Sequence, residues 1–411
     1  MVGGPSVWSE GGAWALFIFL AVLAPSANAL NAYGHAFGVR PHDFTEGQYS
    51  SIARRFPIFT VEKNHAAEMY GNHSAQAPFC TNSIAATIGT ARKIKAINAS
   101  VKVLMYWNSA LFYNFYECES KVQESWTMPN PNPAKTIRFY NYSVPAFRKW
   151  WVQCAIDAVH SSDGALNGLF FDATPKVDHE PNAADSATSA LTPWLGASHL
   201  HEWGEMVDEV RGALGQDAVL IDNGFFLTEG GVRLAGEDAW AHTGVGYAES
   251  MTSHVVGGGD GRRRVTFTPQ QEVEYLEWLS NCSYASPSAV MIGHGPMPAR
   301  SSGGTTTSTD LDPAFKFGLA QYLLVTSSVR NGWFLANRGY SIEDGLLEQP
   351  TSVYDGTGLG CGEPTAPLER VGQAASGRVR RTFAHGHVLV DYSRATASIN
   401  CTKYLVVQVR A

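Results

Sequence analysis

Five short apolar runs in this chain deliver an ionisable residue at or just beyond their C-terminal end. Pro57–Glu62 ends on Glu62, Leu166–Asp172 on Asp172, Ala218–Asp222 on Asp222 and Gly244–Glu249 on Glu249, while Ala289–Ile292 runs on into His294. A carboxylate that closes an apolar strand is partly desolvated, and its neighbours then decide which protonation state it holds. Two carboxyl groups on either side of a glycosidic bond can protonate the leaving oxygen and attack the anomeric carbon or activate water there. Asp172 and Glu249 are the pair expected to do this. In Gly244-Val245-Gly246-Tyr247-Ala248-Glu249, the two-residue period of a strand points Tyr247 and Glu249 the same way.

Asp222 and Asn223 are both candidates for binding substrate, but the same period lets only one of them face the site, and Asn223 is preferred. Glu62 is either an acceptor for a sugar hydroxyl or an ion-pair partner of Lys63 or His65. Trp107, Asn108, Tyr247 and His294 complete the expected substrate-binding set. The aromatic run Leu111-Phe112-Tyr113-Asn114-Phe115-Tyr116 adds faces that pack on pyranose rings. The competing readings are structural: Asp172 as a helix cap or loop anchor, Glu249 tied to backbone, and the aromatics as a lid on a core.

The elements that must position these groups are strands alternating with helices. Strand patterns fall at His35–Val39, Pro57–Glu62, Val101–Trp107, Leu166–Asp172, Ala218–Asp222, Gly244–Glu249, Ala289–Ile292 and Gly332–Leu335. Helical patterns fall between them, at Ser83–Ile97, Val144–Val159, Leu200–Leu214, Pro269–Asn281 and Pro313–Ser327, with Thr268 as a cap before Pro269. Eight strand–helix units close naturally into a barrel whose reactive groups sit at the C-terminal strand ends. After Leu335 the pattern changes to short antiparallel strands at Arg378–Ala384, His387–Tyr392 and Tyr404–Val409. The fold expected is an α/β (β/α)₈ TIM barrel over 30–340 with a small C-terminal antiparallel β domain over 341–411.

The first 29 residues read as a signal peptide, with the apolar run Trp14–Ala24 and an Ala27-Asn28-Ala29 cleavage site; an uncleaved anchor is the alternative. Six cysteines without a Cys-x-x-Cys pair suit disulfides, with Cys361–Cys401 and Cys80–Cys118 as the expected pairings. Sequons at Asn72, Asn98, Asn141, Asn281 and Asn400 also suit a secreted glycoprotein. The formal net charge of −7 gives no basic field for nucleic acid. No Gly-x-Gly-x-x-Gly follows the first strand, no Gly-x-Ser-x-Gly elbow is present, and no cofactor is expected.

Phe170-Phe171-Asp172, Asp222-Asn223-Gly224 and Gly246-Tyr247-Ala248-Glu249 together resemble a hypothetical glycoside hydrolase family with a TIM-barrel catalytic domain. The tail is similar to that family too, in Leu359-Gly360…Glu363-Pro364 and in Arg381-Thr382-Phe383-Ala384-His385-Gly386, where His385 replaces the more usual asparagine. The resemblance implies a barrel, an oligo- or polysaccharide substrate, Asp172 as nucleophile or base, and Glu249 as acid. Two rival functions share the barrel: a non-catalytic carbohydrate-binding protein, and a metal-dependent hydrolase using His35, His65, His242 and His294.

Overall fold

The computed structural model describes residues 32–36, 42–63, 65–66, 83–129, 137–174, 197–225, 237–248, 268–285, 290–296, 313–328, 332–337, 360–373 and 376–401. The stretch expected to be a signal peptide, Glu249 and the tail strand expected at Tyr404–Val409 lie outside these residues.

Eight parallel strands form one sheet in chain order: β1 (Tyr33–Ala36), β2 (Ile58–Val61), β3 (Lys102–Asn108), β7 (Gly168–Asp172), β8 (Val219–Phe225), β9 (Gly244–Ala248), β10 (Val290–Pro296) and β11 (Trp333–Asn337). Each strand pattern read from the sequence corresponds to one of them. Helices lie between: α1 (Glu46–Arg55), α2 (Ser83–Ile97), α3 (Pro145–His160), α4 (Ala197–Leu214), α5 (Glu237–Thr243), α6 (Pro269–Ala285) and α7 (Pro313–Val325). The sheet is curled. Rings on strands that are not neighbours meet over its inner face: His35 of β1 lies 4.6 Å from Phe170 of β7, and Tyr33 lies 6.0 Å from Tyr247 of β9. The edge strands β1 and β11 approach within 8 Å between Cα atoms.

Strands β1, β2, β3 and β7 are buried on both faces, as a parallel sheet covered by helices requires, so their sequences are near-continuous apolar runs. Register fixes which residues share a face. Tyr106 pairs with Phe170 and Asn108 with Asp172 on the inner face, while Trp107 pairs with Phe171 on the outer one. Gly168 starts β7 at φ +152°, where a Cβ would fall 1.9 Å from the Val219 carbonyl oxygen. Only glycine lets β7 begin this close to β8.

Two helices share one start signal. Thr45 accepts from the Gln48 backbone N–H (3.3 Å) and the Gln48 side chain accepts from the Thr45 N–H (2.9 Å), opening α1 with a capping box. Thr268 and Gln271 repeat it at α6 with the same two distances. In α3, Phe147, Trp151, Cys154, Ala155 and Ala158 form the buried stripe.

Between β3 and α3, strands β4 (Leu111–Phe112), β5 (Thr127–Met128) and β6 (Arg138–Tyr140) make a small antiparallel sheet. A disulfide between Cys118 and Cys154 fastens this excursion to α3. That corrects the expected Cys80–Cys118 pairing, since Cys118 is already used; Cys80 lies outside the described residues. The expected Cys361–Cys401 bond is present.

The tail sheet runs β12 (Glu369–Arg370), β13 (Arg378–Phe383), β14 (Gly386–Asp391) and β15 (Thr396–Cys401), all antiparallel. Val379, Phe383, Val388 and Val390 on its inner face join Leu276, Leu279, Leu319 and Leu323 of α6 and α7 in one core. Arg381 is fully buried and donates to the carbonyls of Leu323 (3.3 Å), Leu324 (2.7 Å) and Thr326 (2.6 Å) at the end of α7. The arginine of the tail motif therefore caps a helix of the larger unit, where a cation also suits the negative end of the helix dipole.

Candidate active site

Asp172 ends β7 on the inner face of the curled sheet, half-buried. Its Oδ2 accepts from the Tyr106 hydroxyl (2.5 Å) and the Asn108 amide (3.2 Å), and its Oδ1 accepts from the Asn223 amide (2.8 Å). Asn108 also donates to the Tyr106 oxygen (2.8 Å), and its own Oδ1 accepts from the backbone of Ala110 and Leu111. The donors thus have fixed orientations of their own. They come from β3 and β8, the strands on either side of β7, because Asn108 and Asn223 occupy the inward positions beside Asp172.

Four expected substrate-binding residues are placed on this inner face. Asn108 and Asn223 touch Asp172 directly. Tyr247 is buried with its ring 5.2 Å from Phe170. Glu62, just past the end of β2, is buried and bonded to His35 Nε2 (2.9 Å) and to Lys63 Nζ (2.5 Å). Its ion-pair partner is Lys63 as anticipated. His65 instead faces Asp43 at 3.3 Å, in a separate cluster with Lys93.

Two expected residues are placed elsewhere. Trp107 is on the outer face, buried against Trp151 and Tyr116 at ring distances of 5.9 and 5.2 Å. It packs the helix layer, because the parity that turns Asn108 inward turns Trp107 outward. Asp222 is also outward and buried, and accepts from the Thr243 hydroxyl (2.9 Å) at the end of α5. His294 falls within β10, in register with Leu335 of β11. Glu249 follows the last residue of β9 and lies outside the described residues.

The histidines of the metal reading are dispersed. His35 is inside, His65 is with Asp43, and His242 is in the helix layer, 3.0 Å from Asp208 of α4 and edge-on to Trp203. Among the described residues no group of three or more His, Cys, Asp or Glu is placed to hold a metal ion.

Three residues have roles here that the sequence does not give. His35 is a link in a buried chain: Tyr33 bonds both the Thr60 hydroxyl (2.6 Å) and His35 Nδ1 (3.1 Å), and His35 bonds Glu62. Burial holds the His35 imidazole below its usual range, against the pull of Glu62. Burial also opposes ionisation of Glu62, but Lys63 and His35 outweigh it and hold the carboxyl low. Lys63 in turn is raised, because Glu62 and Asp172 outweigh its burial. Glu119, in the excursion after β4, is the third. Its carboxylate accepts from the backbone N–H groups of Phe115 and Tyr116 and from the Tyr140 hydroxyl (2.8 Å), and burial pushes it up to about 7. A small cavity at the end of β3 is lined by Lys63, Tyr106, Asn108, Tyr113, Phe115 and Glu119 together with the outward Trp107; Tyr106 and Asn108 of this lining are donors to Asp172.

Residues 95–387 match the model of hypothetical glycosyl hydrolase family 15. The chain belongs to this family. The stretch shared with family 15 runs from the end of α2 to β14 and includes Tyr106, Asn108, Asp172 and Asn223; His35, Glu62 and Lys63 precede it. No curated protein matches the chain significantly. Among solved structures, the glycoside hydrolase domain of PelA from Pseudomonas aeruginosa is similar at 12% identity and TM-score 0.39, covering 65% of this chain and 84% of that one. The maltogenic α-amylase AmyB from Thermotoga neapolitana is similar at 10% identity and TM-score 0.49, covering 87% and 84%. An α-amylase from Geobacillus thermoleovorans, complexed with acarbose, is similar at 8% and 0.47, covering 88% and 86%.

Proposed function

We propose that the chain is a secreted glycoside hydrolase whose curled sheet closes as a (β/α)₈ barrel, and that Asp172 is the carboxylate at its reacting centre. The observation that carries this is the set of three side-chain donors on Asp172 at the C-terminal end of β7. A carboxylate that must attack an anomeric carbon, or take a proton from water, needs one fixed rotamer, and the donors supply it without an ion pair that would mask its charge. Glu249 is the proposed acid: it has the parity of Tyr247, whose ring is on the inner face, and it follows the end of its strand as an acid at a barrel mouth should. Asn108, Asn223, Tyr247, Glu62 and His294 are the proposed substrate-binding residues. The substrate is an oligo- or polysaccharide. Secretion is supported by the two disulfides and the signal-like leader.

The test is a screen of the purified protein on a broad oligosaccharide panel with product detection, alongside Asp172→Asn and Glu249→Gln. Wild-type cleavage together with a loss of roughly a thousandfold or more in both folded variants supports the reading. Cleavage retained by both variants rejects this pair of residues, and binding without cleavage makes the protein a carbohydrate-binding barrel.

A further inference from the structure

The inner faces of β1 and β2 carry a run of polar groups where apolar packing would suffice. Thr60, Tyr33, His35 and Glu62 are all essentially buried. A buried polar group is costly unless it is bonded, and here each is bonded to the next. The chain ends at Lys63, whose side chain is 17% exposed and lines the small cavity at the end of β3 with Tyr106 and Asn108, the two donors to Asp172 Oδ2. An ammonium carries three donors. Among the described residues Glu62 Oε1 takes one of them, while the rings of Tyr106 and Tyr113 lie 4.0 and 5.2 Å from the nitrogen. Such rings hold a cation in place without supplying a hydrogen-bond acceptor of oxygen's strength.

We infer that Lys63 is a sugar-binding residue, its ammonium and the adjoining carboxylates engaging vicinal hydroxyls of a pyranose without an acidic group, seated against Asp172. The inference rests on the hydrolase reading above. A sugar hydroxyl both donates and accepts, and an ammonium next to a carboxylate answers both needs at once. Charge disfavours an anionic sugar. Lys63 is already balanced by Glu62, so an anionic group would meet the remaining charge of Asp172. Tyr113 and Phe115, half-buried and stacked at 5.4 Å, offer the same cavity an apolar wall for the ring. The buried chain through His35 and Tyr33 then has a purpose, which is to hold Glu62, and through it Lys63, in one place.

The experiment titrates methyl glucoside, galactoside, mannoside and N-acetylglucosaminide, with glucuronate as an anionic probe, into Glu249→Gln, which keeps the Asp172 charge, by ligand-observed NMR. The same series is run on Glu249→Gln carrying Lys63→Met. At least one neutral glycoside should bind the first protein and bind the second at least about tenfold more weakly, with glucuronate weaker than the neutral ones in the first. Lys63→Met leaves Glu62 without its partner, so Glu62→Gln/Lys63→Met is made as well; it removes both charges together and should show the same loss if the single variant does not fold. Lys63→Arg should recover part of the binding. Unchanged affinity in the folded Lys63 variants overturns the assignment, as does tighter binding of glucuronate. If wild type cleaves a glycan and Lys63→Met keeps its KM and kcat, only Lys63 is misassigned. If nothing is bound and nothing cleaved, the hydrolase reading falls with it.

Discussion

The amide of Asn223 donates to Asp172 Oδ1 across 2.8 Å, joining inward side chains of two neighbouring parallel strands at the same level of the sheet. Phe171 and Asp222, one residue earlier on each strand, pair in register and face the helices. The contact at Asp172 is therefore a product of strand register. A slip by one residue in one direction would replace Asn223 with Asp222 and set two carboxylates side by side; in the other it would bring Gly224 there, without a donor.

Asn223→Ala removes the one donor on Oδ1 and leaves Oδ2 bonded to Tyr106 and Asn108. Activity should fall about ten- to a hundredfold in kcat, with a smaller change in KM, because the carboxylate gains a rotamer it does not now have. Tyr106→Phe should fall similarly, and the double variant by less than the product of the two. Steady-state kinetics on whichever glycan the wild type cleaves reads both effects, and full activity in either single variant would remove the orienting role.

Glu119 makes stability depend on pH. Its carboxyl is raised from 4.5 to about 7 by burial, so the unfolded chain releases this proton at lower pH than the folded one does. Between pH 5 and 7 the folded state binds more protons, and this group's contribution to stability declines as pH rises, levelling off above 7. Urea midpoints across that range should show the decline in wild type and a flatter profile in Glu119→Gln. A parallel pair of profiles would show that the three donors around Glu119 keep it ionised throughout.

Arg381 is bonded to three carbonyls of the α7 terminus and to the Ala366 carbonyl (3.2 Å). Arg381→Met keeps much of the side-chain volume but leaves those oxygens without a donor, at a cost of about 3 kcal/mol or more. Denaturant unfolding should register this as a clear drop in midpoint, and Arg381→Lys should restore only part, since one ammonium cannot span the same set.

The strands were legible because parallel strands buried on both faces leave unbroken apolar runs bounded by turns. Asp172 was legible for the same reason, as the polar end of Gly168–Asp172. Helix α1 was not, since it buries only Tyr49, Ile52 and Ala53 and is otherwise polar, although its Thr45…Gln48 box is the signal that also opens α6. The two-residue rule that separates Asp222 from Asn223 separates Trp107 from Asn108 equally, so the outward position of Trp107 was within reach of the sequence. Glu119 and the Cys118–Cys154 bond were not. Both belong to an excursion without periodicity, and their partners are set by how that excursion folds back on α3. His35 reads as a candidate metal ligand until β1 and β2 are paired, when it comes to stand beside Glu62.

Among the described residues, the buried apolar side chains fall into two bodies with different histories in the chain. The first draws on residues 32–247, the second on residues 240–401, with Trp240 and Ala248 as its earliest described members. During synthesis the first body has all its parts once β9 has left the ribosome, and Asp172, Asn108 and Asn223 have then been made as well. The second cannot assemble until the tail sheet emerges, because α6 and α7 bury their apolar faces against strands made later. An emerging chain thus passes through a stage in which the Asp172 cluster is built and α6 and α7 are still uncovered, and that stage is where a chaperone would find something to hold.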